Sequence, residues 1–153
     1  IKMKIKIFTY LFFLFFLSNC GYQPLYSSKG QTFSIGKIDF SGEKYLTNNF
    51  DEKIKRFQDT KNEIFDLEVS LNESKNTVAK DKKGNPSIFS LTISATITYK
   101  QTGKANITKS FSQNTNYNNN NNKFDLKKYE KSLSKQLINK IVEDFIFYTE
   151  SML

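Results

Sequence analysis

The side chain with the clearest chemical potential is a single thiol. Cys20 is the only cysteine in 153 residues, and it follows an apolar run from Ile7 to Leu17 that is itself preceded by Lys2, Lys4 and Lys6. A basic segment, an apolar stretch of roughly 7 to 15 residues and a small-residue junction, here Ser18-Asn19-Cys20, are the marks of a secretory signal peptide. The run is too short to cross a bilayer stably, which takes about 20 apolar residues. If translation starts at Met3, Lys4 and Lys6 still supply the basic segment. Other chemistry is narrowed by absences. There is no histidine and no second cysteine, which removes Ser-His-Asp and Cys-His catalysis and every His or Cys metal site. The carboxylates fall on alternating strand positions or on helix faces, where a solvated surface is the default. A Ser-Lys dyad or a carboxylate pair stays open, but no pattern points to one, and no cofactor or metal is expected.

Leu17-Ser18-Asn19-Cys20 resembles a bacterial lipobox, with Asn19 where Gly, Ala or Ser is usual. The resemblance implies cleavage before Cys20, a diacylglyceryl group on its thiol and acylation of the new amino terminus. Three acyl chains exceed the two signals that stable membrane attachment takes, so Cys20 is expected to be an anchor and not a nucleophile. On this reading residues 1–19 are a removed signal peptide, 20–31 a lipid-anchored tether and 32–150 a single domain. The 134 residues left after cleavage suffice for one core of ordinary size.

The whole chain carries 23 basic and 15 acidic side chains, a net charge of +8. The leader holds three of the lysines and no acid, so the remainder is only modestly basic, at +5. All of its basic residues except Arg56 are lysines. Bidentate reading of phosphates or base edges calls for arginine, so nucleic acid is not an expected partner.

The elements follow from periodicity. Phe33 and Ile35 alternate, and after Gly36 the phase shifts to Ile38 and Phe40, which predicts a strand over 32–41 with a bulge. Asn49, with Glu52 three residues on, predicts a helix start, and Phe50, Ile54 and Phe57 supply its apolar stripe to about Thr60. Phe65, Leu67, Val69 and Leu71 face one way along a second strand. A polar stretch from Asn72 to Ser87 is expected to be a long connection, with Gly84-Asn85-Pro86 its turn. Ile88 to Tyr99 alternates Phe89, Leu91, Ile93, Ala95, Ile97 and Tyr99 against Ser and Thr. A fourth strand is expected from Ala105 to about Thr115, then a solvated linker over Asn116–Asn122. Last comes a helix of about 23 residues capped by Asp125, with Leu126, Tyr129, Leu133, Leu137, Ile141, Phe145 and Tyr148 as its stripe. The order β-α-β-β-β-α, with one apolar face per element, predicts an α+β two-layer sandwich: two helices on one face of a mostly antiparallel four-stranded sheet. Its other face is left to solvent or to a partner.

Cys20-Gly21-Tyr22-Gln23-Pro24-Leu25-Tyr26 resembles the C-G-F-x-P-L-Y start of lipopolysaccharide-assembly lipoproteins of the LptE family. The element order, the long turn before Gly84, the Ile88-Phe89-Ser90-Leu91 strand entry and the amphipathic last helix are similar too. The resemblance implies a non-enzymatic outer-membrane lipoprotein on the periplasmic side. It would plug and help assemble an LptD-like β-barrel and bind lipopolysaccharide on its way to the cell surface. Gly21, in place of Asp after the cysteine, resembles lipoproteins sorted outward. Lys80, Lys82 and Lys83 cluster at the tip of the longest hairpin and are the expected ligand contacts, as point charges for lipid phosphates; Gly84 and Pro86 would shape the tip for the barrel. The plainer alternative is a solubilising tip. An auxiliary lipoprotein of an ABC-type lipid transporter and a structural lipoprotein without a transport role are the rival functions.

Overall fold

The computed structural model describes residues 33–59 and 64–152. Within them, β1 (Ile35–Gly42), α1 (Lys44–Ile54), a short 3-10 turn (Lys55–Phe57), β2 (Phe65–Lys80), β3 (Pro86–Lys100), β4 (Ile107–Asn118) and α2 (Lys123–Met152) follow one another. The sheet order is β1-β2-β3-β4. β1 lies parallel to β2, while β2–β3 and β3–β4 are antiparallel hairpins. Both helices cover the same sheet face, where a single core of buried side chains joins all six elements. This is the α+β sandwich that the alternation patterns predict.

β1 shifts register against β2 between Ile35 and Ile38, the bulge expected at Gly36. Four departures have identifiable causes. First, α1 begins at Lys44 and not at Asn49: Leu46 joins Phe50 and Ile54 in the core, so its buried stripe starts a turn earlier. The N-cap is Glu43, whose backbone carbonyl accepts the N–H groups of Leu46 and Thr47. Asn49 is interior and donates its amide to the Tyr45 carbonyl at 2.7 Å. Second, the connection expected from Asn72 is strand as far as Lys80. Glu73, Lys75 and Thr77 pair with Ile93, Leu91 and Phe89. These side chains stay exposed beside the end of the core, and α2 supplies polar partners for two of them: Ser134 donates to Glu73 at 2.7 Å, and Lys75 meets Glu130 at 2.5 Å.

Third, β4 runs on to Asn118, so that Asn116, Tyr117 and Asn118 pair with Ser90, Phe89 and Ile88. Fourth, the cap of α2 is Asn122 and not Asp125. Its side-chain oxygen accepts the N–H groups of Phe124 at 3.1 Å and Asp125 at 3.3 Å, while its amide donates to Asp125 at 2.7 Å. The helix has 30 residues, about 45 Å at 1.5 Å each, nearly the length of β3.

Phe145 is the centre of the core. It is fully buried, and the rings of Phe33, Phe50, Tyr99 and Phe111 lie 6.1 to 6.5 Å from it. Aromatic pairs of this kind add about 0.5–1.5 kcal/mol beyond burial. Of the expected core residues, Phe65, Leu67, Val69, Leu71, Leu91, Ile93, Leu133, Leu137 and Ile141 are buried, and Phe89 is partly so. Tyr129, expected on the buried stripe, is 51% exposed.

Candidate functional site

Two surfaces are candidates for contact: the tip of the β2–β3 hairpin and the sheet face that no helix among the described residues covers. At the tip the organising residue is Asp81. One carboxylate oxygen accepts the backbone N–H groups of Lys83 and Asn85, each at 2.8 Å, and the other accepts the Asn85 side-chain amide at 3.3 Å. The backbone closes beside it, with Asp81 N–H donating to the Asn85 carbonyl at 2.8 Å and Gly84 N–H to the Asp81 carbonyl at 3.0 Å. The Asn85 backbone N–H holds the Asp81 carboxyl below its ordinary range; slight burial opposes this, and the Asn85 amide and the Lys83 and Gly84 N–H groups add to it. A charged acceptor that gathers successive N–H groups fixes a turn in the manner of an Asx-turn.

Lys80, Lys82 and Lys83 are therefore exposed on a turn of defined shape. Gly84 has φ +84, the left-handed region that other residues enter at a cost. Pro86 opens β3, and its carbonyl accepts the Asn119 amide at 2.7 Å, which ties the tip to the loop ahead of α2. All five expected tip residues are thus brought together in one short segment. Asp81 and Asn119 were not expected to take part. The signal for Asp81 was present as an acid three residues before a glycine in a turn. Asn119 carries no such signal, because its partner Pro86 lies 33 residues away in sequence.

The open face is lined by hydroxyls. Three cross-strand pairs of β3 and β4 hydrogen-bond to one another: Ser94 with Ser112 at 3.1 Å, Thr96 with Ser110 at 3.2 Å and Thr98 with Thr108 at 3.0 Å. At the end remote from the hairpin tip, Lys100 pairs with Glu68 at 2.7 Å. Hydroxyls that already satisfy one another are less costly to cover than isolated ones, because a polar group loses most when it is desolvated without a partner. Such a face suits a polar surface laid against it.

Cys20 lies outside the described residues, as do the expected signal peptide and tether. Among the described residues no group of three or more His, Cys, Asp or Glu side chains could hold a metal ion, and no helix is long and apolar enough to cross a membrane.

The architecture defines a class: a small α+β domain in which two helices share one face of a four-stranded mixed sheet and, among the described residues, no helix covers the other. Solved lipoprotein structures have this fold. The chain superposes on the rare lipoprotein B of Shewanella oneidensis with a TM-score of 0.60 at 15% identity, covering 78% of this chain and 98% of that one. A putative lipoprotein from Caulobacter crescentus CB15 gives 0.58 at 11% identity over 76% and 88% of the two chains. An uncharacterized lipoprotein B from Nitrosomonas europaea gives 0.60 at 9% identity over 78% and 84%. No family model matches the chain. No curated protein matches it in sequence.

Proposed function

We propose that this chain is a non-enzymatic lipoprotein of the outer membrane, anchored on the periplasmic side through an acylated Cys20. In this role it seats within an LptD-like β-barrel, supports assembly of that barrel, and binds lipopolysaccharide in transit to the cell surface. The observation that carries the proposal is the open sheet face. Over β3 and β4 its paired hydroxyls form a polar wall, with the Lys100–Glu68 and Lys37–Asp39 ion pairs gathered at the end remote from the tip, and the interior of a large outer-membrane barrel is likewise polar. The fold shared with solved lipoproteins and the leader ending at Cys20 are in keeping with it. Lys80, Lys82 and Lys83 at the tip would meet lipid phosphates.

Two measurements test the proposal. Mass spectrometry of the exported protein should find a di- or tri-acylated cysteine as its first residue. Affinity purification from an outer-membrane extract should bring down one heat-modifiable β-barrel as the dominant companion. An intact leader with a free thiol defeats the anchor, and recovery with an ABC-type transporter in place of a barrel defeats the partner.

A further inference from the structure

The Asn-rich tract that the sequence offers as a solvated linker builds a cleft. Asn118, Asn119, Asn120 and Asn121, with Leu126 and Tyr129 of α2, line about 480 Å³, a volume within the range of small-molecule sites. The loop is held in shape from several sides. The Asn119 backbone N–H donates to the Ser87 carbonyl at 2.9 Å. Lys123 donates to the Asn119 side-chain oxygen at 3.2 Å and to the Asn120 carbonyl at 3.3 Å, and the Asn120 side chain accepts the Asn122 N–H at 2.9 Å. By contrast, the amides of Asn118 and Asn121 make no side-chain hydrogen bond to any described residue. Tyr129 stands half exposed at the wall, its ring set edge-on against Tyr117 at 6.1 Å and 70°.

We infer that this cleft binds a neutral saccharide. Each primary amide presents an acceptor and two donors side by side, which matches adjacent sugar hydroxyls that both donate and accept. The tyrosine ring offers an apolar surface with a polar tip, suited to the C–H face of a pyranose. No charged side chain lines the cleft, and the nearby Lys123 ammonium is folded onto the loop that it braces. An anion would therefore find no cation in the lining, and an apolar ligand would desolvate the free amides without pairing them. The inference stands apart from the barrel and from the lysines of the tip.

The test uses the full chain in detergent micelles with isotope-labelled asparagine. Its side-chain amides are followed by NMR during titration with maltotriose and, separately, with chitotriose; glycerol is the control for any polyol. The expected result is a saturable shift of the Asn118 and Asn121 amides with one of the two oligosaccharides, a Kd on the order of 1 mM, and no such shift with glycerol. Which oligosaccharide binds separates a plain hexose source from an N-acetylhexosamine one. Tyr129→Ala should weaken binding about fivefold or more, and Asn121→Ala about threefold, with the other asparagine signals unmoved. Absence of a saturable shift with either oligosaccharide, an equal response to glycerol, or binding undiminished in Tyr129→Ala overturns the inference. Should Tyr129→Ala disturb the whole spectrum, the surface-loop variant Asn121→Ala decides, and undiminished binding there overturns it equally.

Discussion

The Tyr117 phenol on β4 donates to Glu130 on α2 at 2.6 Å, and the same carboxylate oxygen receives the Lys75 ammonium from β2 at 2.5 Å. Three elements thus meet on one oxygen. Lys75 also lies 4.0 Å from the centre of the Phe89 ring, so its charge is held on two sides. For Glu130, burial favours the neutral acid, but the hydrogen bonds from Lys75 and Tyr117 outweigh it and the carboxyl stays below its ordinary range. Burial, with the Glu130 carboxylate beside it, pushes the Tyr117 phenol up.

Glu130→Gln should therefore destabilise the domain by about 1–2 kcal/mol near neutral pH, the range for a hydrogen-bonded charge that is partly shielded from water. A carboxyl lowered on folding contributes stability that is complete above its unfolded value, about 4.3 for glutamate. It loses that contribution as the pH falls through the folded value. The gap between parent and variant, measured by urea unfolding at a series of pH values, should close below about pH 4. A gap that persists unchanged in acid would mean that Glu130 acts through packing and not through its charge.

Tyr99 should contribute to the loss of stability in alkali. Its hydroxyl and that of Thr149 lie 2.9 Å apart in the core. Burial pushes the phenol up to about 12, opposed by the Thr149 hydrogen bond and aided by Tyr148. A phenol raised on folding favours the folded state fully below its unfolded value, about 10, and that contribution is lost as the pH climbs from there through about 12. Tyr99→Phe should cost about 1 kcal/mol at neutral pH, and the parent's alkaline loss should be shallower in the variant. Phenolate absorbance and circular dichroism recorded together will show whether the buried phenol ionises only on unfolding.

Two glycines with similar backbone angles should respond differently to alanine. At Gly42, φ is +117 and an added Cβ would come within 2.2 Å of the Leu71 carbonyl oxygen; at Gly84, φ is +84 and nothing lies within 4 Å. Gly84→Ala therefore meets only the left-handed backbone penalty, about 1–2 kcal/mol. Gly42→Ala must also push β1 off β2, and should fall among the severe cases, above about 4 kcal/mol. Equal thermal shifts in the two variants would show that the β1 edge yields freely.

The elements legible in the sequence were those whose inward side chains are apolar throughout. Phe65 to Leu71 and Leu91 to Tyr99 alternate cleanly, and Gly36 marked its bulge. The outer half of β2 is not legible because Glu73 and Lys75 break the apolar alternation on the helix side of the strand, and their partners Ser134 and Glu130 lie 61 and 55 residues away in sequence. Periodicity in hydrophobicity cannot register a polar strand end that is partnered from another element. The start of α1 was displaced because Asn49-Phe50-Asp51-Glu52 has the residue types of a capping box, whereas burial of Leu46 recruits an earlier turn. At the tip, the lysines and Gly84 could be read directly, but the Asp81 turn required geometry. The asparagine tract, featureless as composition, acquires form only where β4, the hairpin tip and α2 converge.

If lipopolysaccharide and a β-barrel are the partners, as proposed, substitutions can separate charge from shape at the hairpin tip. Replacing Lys80, Lys82 and Lys83 together by Gln leaves the Asp81 turn intact, because its hydrogen bonds use backbone N–H groups and the Asn85 amide. If the ammonium groups meet lipid phosphates, this variant should bind lipopolysaccharide more weakly than the parent. The deficit should be larger at low salt and shrink toward 1 M, where screening acts within about 3 Å. Gly84→Val alters shape without altering charge, since a β-branched residue is strongly disfavoured at positive φ. It should impair barrel association more than lipopolysaccharide binding. Asp81→Ala removes the acceptor that gathers the turn, and should follow Gly84→Val in the barrel assay. Binding of lipopolysaccharide can be read by surface plasmon resonance at two ionic strengths, and barrel association by the yield of the heat-modifiable band. If all three variants match the parent in both assays, the tip is a solvated loop, and any partner contact falls to the hydroxyl face, where Thr96 and Ser110 would be the next residues to change.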